Sequence, residues 1–369
     1  MKFSFPDMRS RKKIIWIVLG ILALIIRYIA SPEAIEQWYS RGLFLWIRRA
    51  FDYGIGWFPI PLFYVFYLVL IVWAVRALIK TNWKRFFTWK GIGNWLLSVA
   101  AFTGGVLFFF FFSWGFNYGR IPLVRQIDLQ AQPVELEELK AELDRVTELI
   151  LTQRKTLDPT EKVAINENML PTDLEDLCRT AVEKTLDQMD YPTVGKVRGQ
   201  ILFTKGILMR FSSSGVYWPF VGQGNIDGGL HPLQQPFTLC HELSHGYGIT
   251  NEGVCNFLGY LAAKNSDNNF IRYSGLMCYW RYLAIAYQRF AYDDYQTFRT
   301  TLPEGFKKDL DEINESLDRY PDILPQLRYM AYDTYLKSQG ISEGMKSYSS
   351  IIMLVRAWEK REKGETMRE

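Results

Sequence analysis

The residues best suited to chemistry lie in one short stretch, Phe237–Phe257, which reads F-T-L-C-H-E-L-S-H-G-Y-G-I-T-N-E-G-V-C-N-F. It holds two of the chain's three histidines, His241 and His245, spaced i,i+4 with Glu242 between them. On a helix this spacing puts both imidazoles on one face, with Cβ atoms roughly 5–6 Å apart, which suits two bonds to one zinc ion. Glu242 would then lie beside the metal and could take a proton from a water that the zinc activates. The alternative is a pair of ordinary core histidines in a chance H-E-x-x-H pattern, which the scarcity of histidine makes a weaker explanation.

A catalytic zinc site needs a third protein ligand and an open position for water. Glu252 is the first acidic residue after the motif, seven residues past His245, beyond a glycine turn and at the start of the next helix. We therefore expect it to be the third ligand, the alternative being a solvated carboxylate favoured by the helix dipole. Asn256, four residues later on the same face, can hydrogen-bond a ligand from outside the metal's own shell. His231 and Asn251 are weaker candidate ligands.

Three apolar segments precede this stretch and predict a membrane domain over residues 1–118. They cover about residues 14–30, 57–75 and 94–116, and each approaches or exceeds the roughly 20 residues needed to cross a bilayer. A signal peptide is the alternative for the first segment, but no A-x-A-like cleavage site follows and two more spans come soon after. Residues 31–56 are predicted to form a mixed loop along the membrane interface.

The charge distribution predicts the orientation of these spans. Residues 1–120 carry 15 Lys+Arg against 4 Asp+Glu, whereas the remainder carries 28 against 35. The basic residues flank apolar runs, which excludes a nucleic-acid-binding signature and fits contact with lipid headgroups. Because the N-terminus and the Arg76–Lys90 loop are the basic segments, both should be cytoplasmic. Three crossings of the inner membrane then place everything after about Tyr118 in the periplasm.

The remainder, residues 119–369, is predicted to be an α+β domain that is mostly helical with a small antiparallel sheet. Residues 197–204 read as a strand and residues 215–226 as an extended segment, which Pro219 confines to a sheet edge or a bulge. Such an edge strand can pair with an extended peptide, although a plain core hairpin fits equally well. Helical spacing of apolar residues predicts a helix over residues 134–155, and a capping box at Thr172 and Glu175 predicts one that ends before Pro192. Further helices are expected over residues 253–264, 269–290, 305–319, 323–337 and 343–361.

The four cysteines leave their redox state open. They are Cys178, Cys240, Cys255 and Cys278, and none forms a C-x-x-C pair, so a cysteine zinc site is not expected. In an exported domain they could make two disulfides, and a bridge between Cys240 and Cys255 would staple the two helices of the metal site. Buried free thiols are an equal alternative.

H-E-L-S-H followed by N-E-G-V-C resembles the zincin metallopeptidases of the gluzincin type. Asn251 stands where the third histidine of metzincins would fall, which sets the chain apart from that group. Three further segments, Y-W-P-F-V-G, C-N-F-L-G-Y-L-A-A and Y-L-K-S-Q-G-I-S-E-G-M-K-S-Y, together with the three spans, are similar to an uncharacterised bacterial family of membrane-anchored zincin-like proteins, domain of unknown function 3810. The resemblance covers nearly the whole chain and implies zinc binding and a peptidase-like fold, but no substrate.

These observations predict a membrane-anchored zinc metallopeptidase acting on a protein or peptide substrate. Glu242 is the expected general base, and a tyrosine should help to hold the oxyanion. Tyr348 is the candidate for that role, with Tyr273 and Tyr279 as rivals. Two other functions stay open: a zinc-stabilised membrane scaffold or receptor without turnover, and a membrane protein with no metal.

Overall fold

The chain divides into two units in the computed structural model, which describes residues 8–81, 83–343 and 350–364. The first unit contains the residues up to Ile121 together with Trp218–Gly222. The second contains Pro122–Tyr217 and the residues from Gln223 onward.

The first unit contains the membrane helices. Within the described residues, two helices are long and apolar enough to cross a bilayer, and a third span is present if a helix pair bent by 115° (Ser10–Ile29 with Pro32–Gly54) counts as one. The prediction of membrane association is therefore confirmed, with two or three candidate spans. The elements in chain order are α1 (Met8–Ile29), α2 (Pro32–Ala34), a π-helix (Ile35–Leu43), α3 (Phe44–Gly54), α4 (Leu62–Lys80), α5 (Trp83–Phe86), α6 (Trp89–Ser113) and a 3-10 helix (Gly115–Gly119).

The prediction of a loop over residues 31–56 was wrong, because this stretch is almost entirely helical. Its charges, which suggested an irregular surface segment, are paired instead. Arg120 donates two hydrogen bonds to the buried Glu36 carboxylate, at 2.7 and 2.8 Å, and Arg48 pairs with Asp52 one turn along α3. Pairing offsets part of the cost of burying these groups, so the charges are compatible with a buried helical segment.

α1 and α6 pack with their backbones in contact at two glycines. A Cβ on Gly20 would lie 2.5 Å from the Cα of Gly104, and a Cβ on Gly104 would lie 2.4 Å from the carbonyl oxygen of Trp16. Any larger residue would force the helices apart, which is the reason small residues mark close helix crossings in membranes.

The Trp218–Gly222 segment contributes aromatic rings to the first unit. The Trp218 ring lies 6.0 Å from Phe63, 5.6 Å from Phe66 and 5.5 Å from Tyr67, measured between centroids. Phe220 stacks on Phe66 at 5.4 Å. These contacts form an aromatic cluster on the first two turns of α4.

The second unit is mostly helical, and its core surrounds two helices that are buried almost throughout. These are α10 (Gln235–Gly246), which carries the H-E-x-x-H segment, and α11 (Glu252–Lys264), which begins at the glutamate of the N-E-G segment. The helices of this unit are α7 (Leu123–Gln126), α8 (Leu136–Lys155), α9 (Leu174–Asp187), α10 (Gln235–Gly246), α11 (Glu252–Lys264), α12 (Asn269–Phe290), α13 (Tyr292–Thr301), α14 (Glu304–Asp318), α15 (Pro325–Ser338) and α16 (Ile351–Glu362).

A small mixed sheet packs on α10. Its strands are β1 (Arg198–Leu202), β2 (Gly215–Trp218) and β3 (Gln223–Asp227), in the order β1-β3-β2, so β2 lies at an edge. β1 and β3 are parallel, with Arg198 opposite Gln223 and Leu202 opposite Asp227. The prediction of an antiparallel sheet was therefore wrong.

The loop after β1 explains the parallel pairing. The buried Asp227 carboxylate accepts backbone hydrogen bonds from Gly206 and Leu208, both at 2.7 Å, and from Gly229 at 2.7 Å. These bonds fold the loop back over the end of β3. The Asp227 amide also donates to the Ser214 carbonyl at 2.9 Å, so β2 begins beside the end of β3. β2 then carries the chain back to the start of the sheet, and β3 runs in the same direction as β1.

Candidate metal centre

Two helices joined by a short turn position the candidate ligands. Pro236 lies in the first turn of α10, where its missing N–H costs nothing. After α10 ends, Gly248 adopts a φ of +91°, a conformation open to glycine. The Asn251 side chain then accepts a hydrogen bond from the Val254 amide and caps α11, which begins at Glu252. The turn therefore brings the first residue of α11 back to the last turns of α10.

Three potential ligand atoms for a metal ion converge at this turn. The Nε2 atoms of His241 and His245 lie 3.1 Å apart, and Oε2 of Glu252 lies 3.1 Å from the first and 3.3 Å from the second. A tetrahedral zinc centre with bonds of about 2.0–2.1 Å separates its ligand atoms by roughly 3.3–3.4 Å. The spacing of the cluster therefore fits three ligands of one metal ion.

The outer ring nitrogens fix the tautomers of both histidines. Nδ1 of His241 lies 2.8 Å from Oδ1 of Asn256, and Nδ1 of His245 lies 2.8 Å from the carbonyl oxygen of Ile249. The Asn256 amide is oriented by donating to the Tyr282 hydroxyl at 3.0 Å. Because both acceptors are carbonyl oxygens, each neutral ring donates from Nδ1 and turns an Nε2 lone pair towards the other ligands. Two lone pairs and a carboxylate oxygen this close together call for a cation, and the residues present fit a metal.

The pKa shifts of the cluster agree with this need for positive charge. Burial alone would raise the pKa of the Glu252 carboxyl, but His245 and His241 hold it below its usual range. Burial would likewise lower the pKa of His245, but Cys255 and Glu252 raise it well above its ordinary value. Without a metal, a proton on the histidines thus supplies the positive charge that a bound cation would supply. Burial raises the pKa of the Cys255 thiol to about 11, and its Sγ lies 3.4 Å from Nδ1 of His245, on the side of the ring away from the other two ligands.

Glu242 lies next to the cluster with a different environment. Its side chain is buried, the Tyr217 amide donates to its carboxylate, and its Oε2 atom has no hydrogen-bond partner within the part of the chain that the structure describes. Burial raises the pKa of this carboxyl to about 7, and Glu252 adds to the shift while the two histidines oppose it. A carboxyl with this pKa can exchange a proton near neutral pH.

Strands β2 and β3 leave room for Glu242 because each has a glycine against it. A Cβ on Gly215 would lie 2.5 Å from Oε1 of Glu242, and one on Gly224 would lie 2.9 Å from its Cβ. A side chain at either position would push on the glutamate. The sheet therefore forms a close-fitting wall beside the carboxylate.

Tyr332 is a residue of the site that the sequence did not reveal. Its hydroxyl donates a 2.9 Å hydrogen bond to Oε1 of Glu252, the oxygen that faces away from the histidines. Tyr332 lies on α15, 80 residues beyond Glu252. With 21 tyrosines in the chain and no spacing rule to link α15 to α11, no local signal could have selected it.

The tyrosines that were predicted have other positions. Tyr348 lies outside the described residues. Tyr273 donates to Oδ2 of Asp309 at 2.5 Å, and Tyr279 donates to Oε1 of Glu142 at 3.1 Å. Both rings are fully buried, and their hydroxyls serve polar networks of the core.

The two weaker ligand candidates also have other partners. Nε2 of His231 lies 3.3 Å from Oε2 of Glu312, and Asn251 caps α11. His241, His245 and Glu252 are the group of potential metal ligands that the described residues bring together.

The cysteines are buried and reduced, so the bridge between Cys240 and Cys255 does not form. Sγ of Cys255 lies 3.4 Å from Nδ1 of His245 instead. Cys240 lies against Cys178 of α9, with its Sγ 3.9 Å from the Cys178 carbonyl oxygen.

The chain belongs to the family described as Protein of unknown function (DUF3810), whose model matches residues 39–356. This confirms the resemblance to that family of unknown function, and the likeness to zincin metallopeptidases stays a prediction. No curated protein and no solved structure shows a significant match to the chain.

Proposed function

We propose that this protein is a membrane-anchored zinc metallopeptidase that hydrolyses peptide bonds of protein or peptide substrates. The observation that carries the proposal is the convergence of three ligand atoms beside a buried carboxylate with a raised pKa. His241, His245 and Glu252 would hold the zinc ion. When bound, zinc polarises the scissile carbonyl and makes water a better acid.

Glu242 is the general base of the proposed reaction. Its pKa of about 7 lies near physiological pH, where a carboxylate can take the proton of the attacking water and pass it to the leaving amine. The bond from the Tyr217 amide holds the carboxylate, and Oε2 is left to exchange the proton.

The orientation of the histidines is the task of groups outside the ligand set. Asn256 and the Ile249 carbonyl keep Nδ1 of each ring protonated, so that Nε2 stays available as a ligand. Such outer partners typically account for 10- to 100-fold in metal affinity.

The same proposal includes the location of the reaction. The basic N-terminus and the basic segment after α4 favour the cytoplasmic side. With three crossings, the second unit would lie in the periplasm, tethered to the inner membrane.

A zinc-stabilised membrane scaffold without turnover is the second candidate. Low solvent exposure favours it: His241 is 8%, His245 6%, Glu242 4% and Glu252 4% exposed. A purely structural zinc site, however, has no use for a buried carboxylate with a raised pKa beside its ligands.

Metal analysis and one substitution separate these candidates. The full-length protein, purified in detergent, should contain about one zinc ion per chain, and His241→Ala should contain less than a tenth of that. Glu242→Gln should keep its zinc but lose about 10²- to 10⁴-fold in hydrolysis of fluorescein-labelled casein or a quenched fluorescent peptide library. Glu312→Gln, which changes a glutamate outside the cluster, is the matched control and should resemble the wild type.

Each outcome has a distinct meaning. A wild-type protein without zinc would refute both candidates. Zinc without turnover of either probe would favour the scaffold. Hydrolysis by Glu242→Gln at the wild-type rate would contradict the proposed role of Glu242 but would not bear on the metal site.

A further inference from the structure

The ligand residues of the candidate metal centre are little exposed, with His241, His245 and Glu252 at 4–8%, so movement of an element next to them would widen access to the site. α10 and α11, which carry the ligands, are buried along nearly their whole length. Moving either would expose much of the core, which is costly. α15 is different, because Leu336 alone is buried among its 14 residues.

α15 has the surface of an element that can open at low cost. Its outer face carries Leu327 and Met330, which are 64% and 66% exposed. Segments with few buried apolar side chains open most readily in native proteins. Among the described elements that touch the ligand set, α15 therefore requires the least free energy to displace.

Backbone conformations at both ends of α15 suit a hinge. Leu324, just before the helix, has a φ of +56°, and Gly340, just after it, has a φ of +93°. A left-handed leucine is strained and can relax when the helix moves. Immediately before Leu324 the chain is held in place, since the Ile323 amide donates to the Arg210 carbonyl at 2.7 Å. α15 therefore has a left-handed residue at each end, at which it can pivot, and a fixed residue just before it.

Tyr332 joins this helix to the metal centre. Its hydroxyl donates to Oε1 of Glu252, and Oε2 of the same carboxylate faces both histidines. A hydrogen bond to a charged group changes an opening equilibrium by roughly 10- to 100-fold. The bond also limits rotation of the carboxylate and keeps Oε2 turned towards the histidines.

We propose that α15 is a gate over the metal centre and that Tyr332 is its latch, acting as a positioning residue on Glu252. The proposal rests on the proposed function only in taking Glu252 as a metal ligand. Because coupling between two sites is reciprocal, a metal that fixes Glu252 favours the closed gate, and the closed gate slows release of the metal. Opening breaks the Tyr332 bond and loosens the third ligand while the two histidines keep their places.

Hydrogen exchange and metal release test the latch without any measurement of turnover. The full-length protein in detergent is compared as wild type, Tyr332→Phe and Tyr329→Phe, the last removing a hydroxyl one turn away on the same helix. In Tyr332→Phe, the amides of α15 should exchange about tenfold faster or more, while those of α11 stay unchanged. Transfer of zinc to a chelator should also be about tenfold faster. Tyr329→Phe should match the wild type in both measurements.

A second comparison tests the coupling. Removing zinc with a chelator should speed α15 exchange in the wild type and change it little in Tyr332→Phe. In metal-free protein, Glu252→Gln keeps the shape of the acceptor but not its charge, and should also speed α15 exchange. This variant replaces Tyr332→Phe if that protein fails to fold.

Unchanged α15 exchange in Tyr332→Phe, or an equal increase in Tyr329→Phe, would overturn the latch. The result is separable from the proposed function. If the wild type binds zinc but hydrolyses nothing, faster exchange and faster zinc release in Tyr332→Phe still support the latch. If the wild type binds no zinc, the comparison of α15 exchange between wild type and Tyr332→Phe, both metal-free, alone decides whether Tyr332 is the latch.

Discussion

Replacing Gly215 with alanine should disable Glu242, the proposed general base, while leaving the proposed metal ligands in place. Gly215 begins β2, and a Cβ at this position would lie 2.5 Å from Oε1 and 2.8 Å from Cγ of Glu242. Ordinary van der Waals contacts begin at about 3.4 Å. Because the new methyl would meet the glutamate along much of its length, the carboxylate must move by about 1 Å.

A displacement of this size is large for a general base. Misplacing a catalytic group by about 1 Å can cost about 100-fold in rate, which corresponds to about 2.7 kcal/mol in the barrier. None of the three nearest atoms belongs to His241, His245 or Glu252. We therefore expect kcat/KM to fall about 100-fold and zinc affinity to change by no more than a few-fold.

The assay measures kcat/KM on a quenched fluorescent peptide together with zinc content and Tm. Gly199→Ala is the control, since a Cβ there would also approach to 2.5 Å, but on Cδ1 of Leu239 in the core. It reports the cost of adding a methyl to this sheet without touching the base. If both variants lose activity equally, or if Gly215→Ala loses its zinc, the effect does not arise at Glu242 and the reasoning is wrong.

Two further predictions concern the cysteines and the aromatic cluster on α4. All four cysteines are buried, so at pH 8 the folded protein should react with iodoacetamide at none of them, whereas denatured protein should react at all four. Burial also raises the pKa of Cys278 to about 12 and that of Cys255 to about 11, which slows these two further. Modification of the native protein, detected by mass spectrometry, would contradict this. Trp218→Ala removes ring contacts to α4, of which each is worth about 0.5–1.5 kcal/mol, and should lower the Tm of the full chain in detergent by several degrees. Trp218→Phe keeps an aromatic ring and removes an indole N–H that is buried without a partner among the described residues. This variant should therefore unfold close to the wild-type temperature. An equal fall in Tm in both variants would show that the indole itself is needed.

The parts of the site that could be predicted are those encoded over a few residues. The i,i+4 spacing places His241 and His245 on one face, and the glycine turn with the Asn251 cap returns the chain so that Glu252 meets them. Each of these features is a local conformational preference. Helix α12 was likewise predicted over Asn269–Phe290, the range observed.

The parts that could not be predicted depend on residues far apart in sequence. Tyr332 meets Glu252 across 80 positions. The parallel pairing of β1 and β3 depends on the loop that Asp227 holds, which no strand pattern indicates. Residues 31–56 looked irregular because their charges were read without their partners, and one partner of Glu36 is Arg120, 84 residues away. Trp218–Gly222 belongs with the first unit although its neighbours in sequence belong with the second.

Glu242 and Glu252 show how the site could assign different tasks to identical side chains. Both are glutamates, both are buried, and ten positions separate them. Oε2 of Glu252 lies within 3.3 Å of two imidazoles, and the positive charge that these can carry lowers its pKa. Glu242 lacks such a contact, so burial dominates and raises its pKa to about 7. Two carboxyls whose environments shift their pKa values in opposite directions are the expected arrangement for one permanent anion and one proton carrier. This contrast supports Glu252 as the ligand and Glu242 as the base, because exchanging their roles would put a proton on the ligand and a permanent charge on the base.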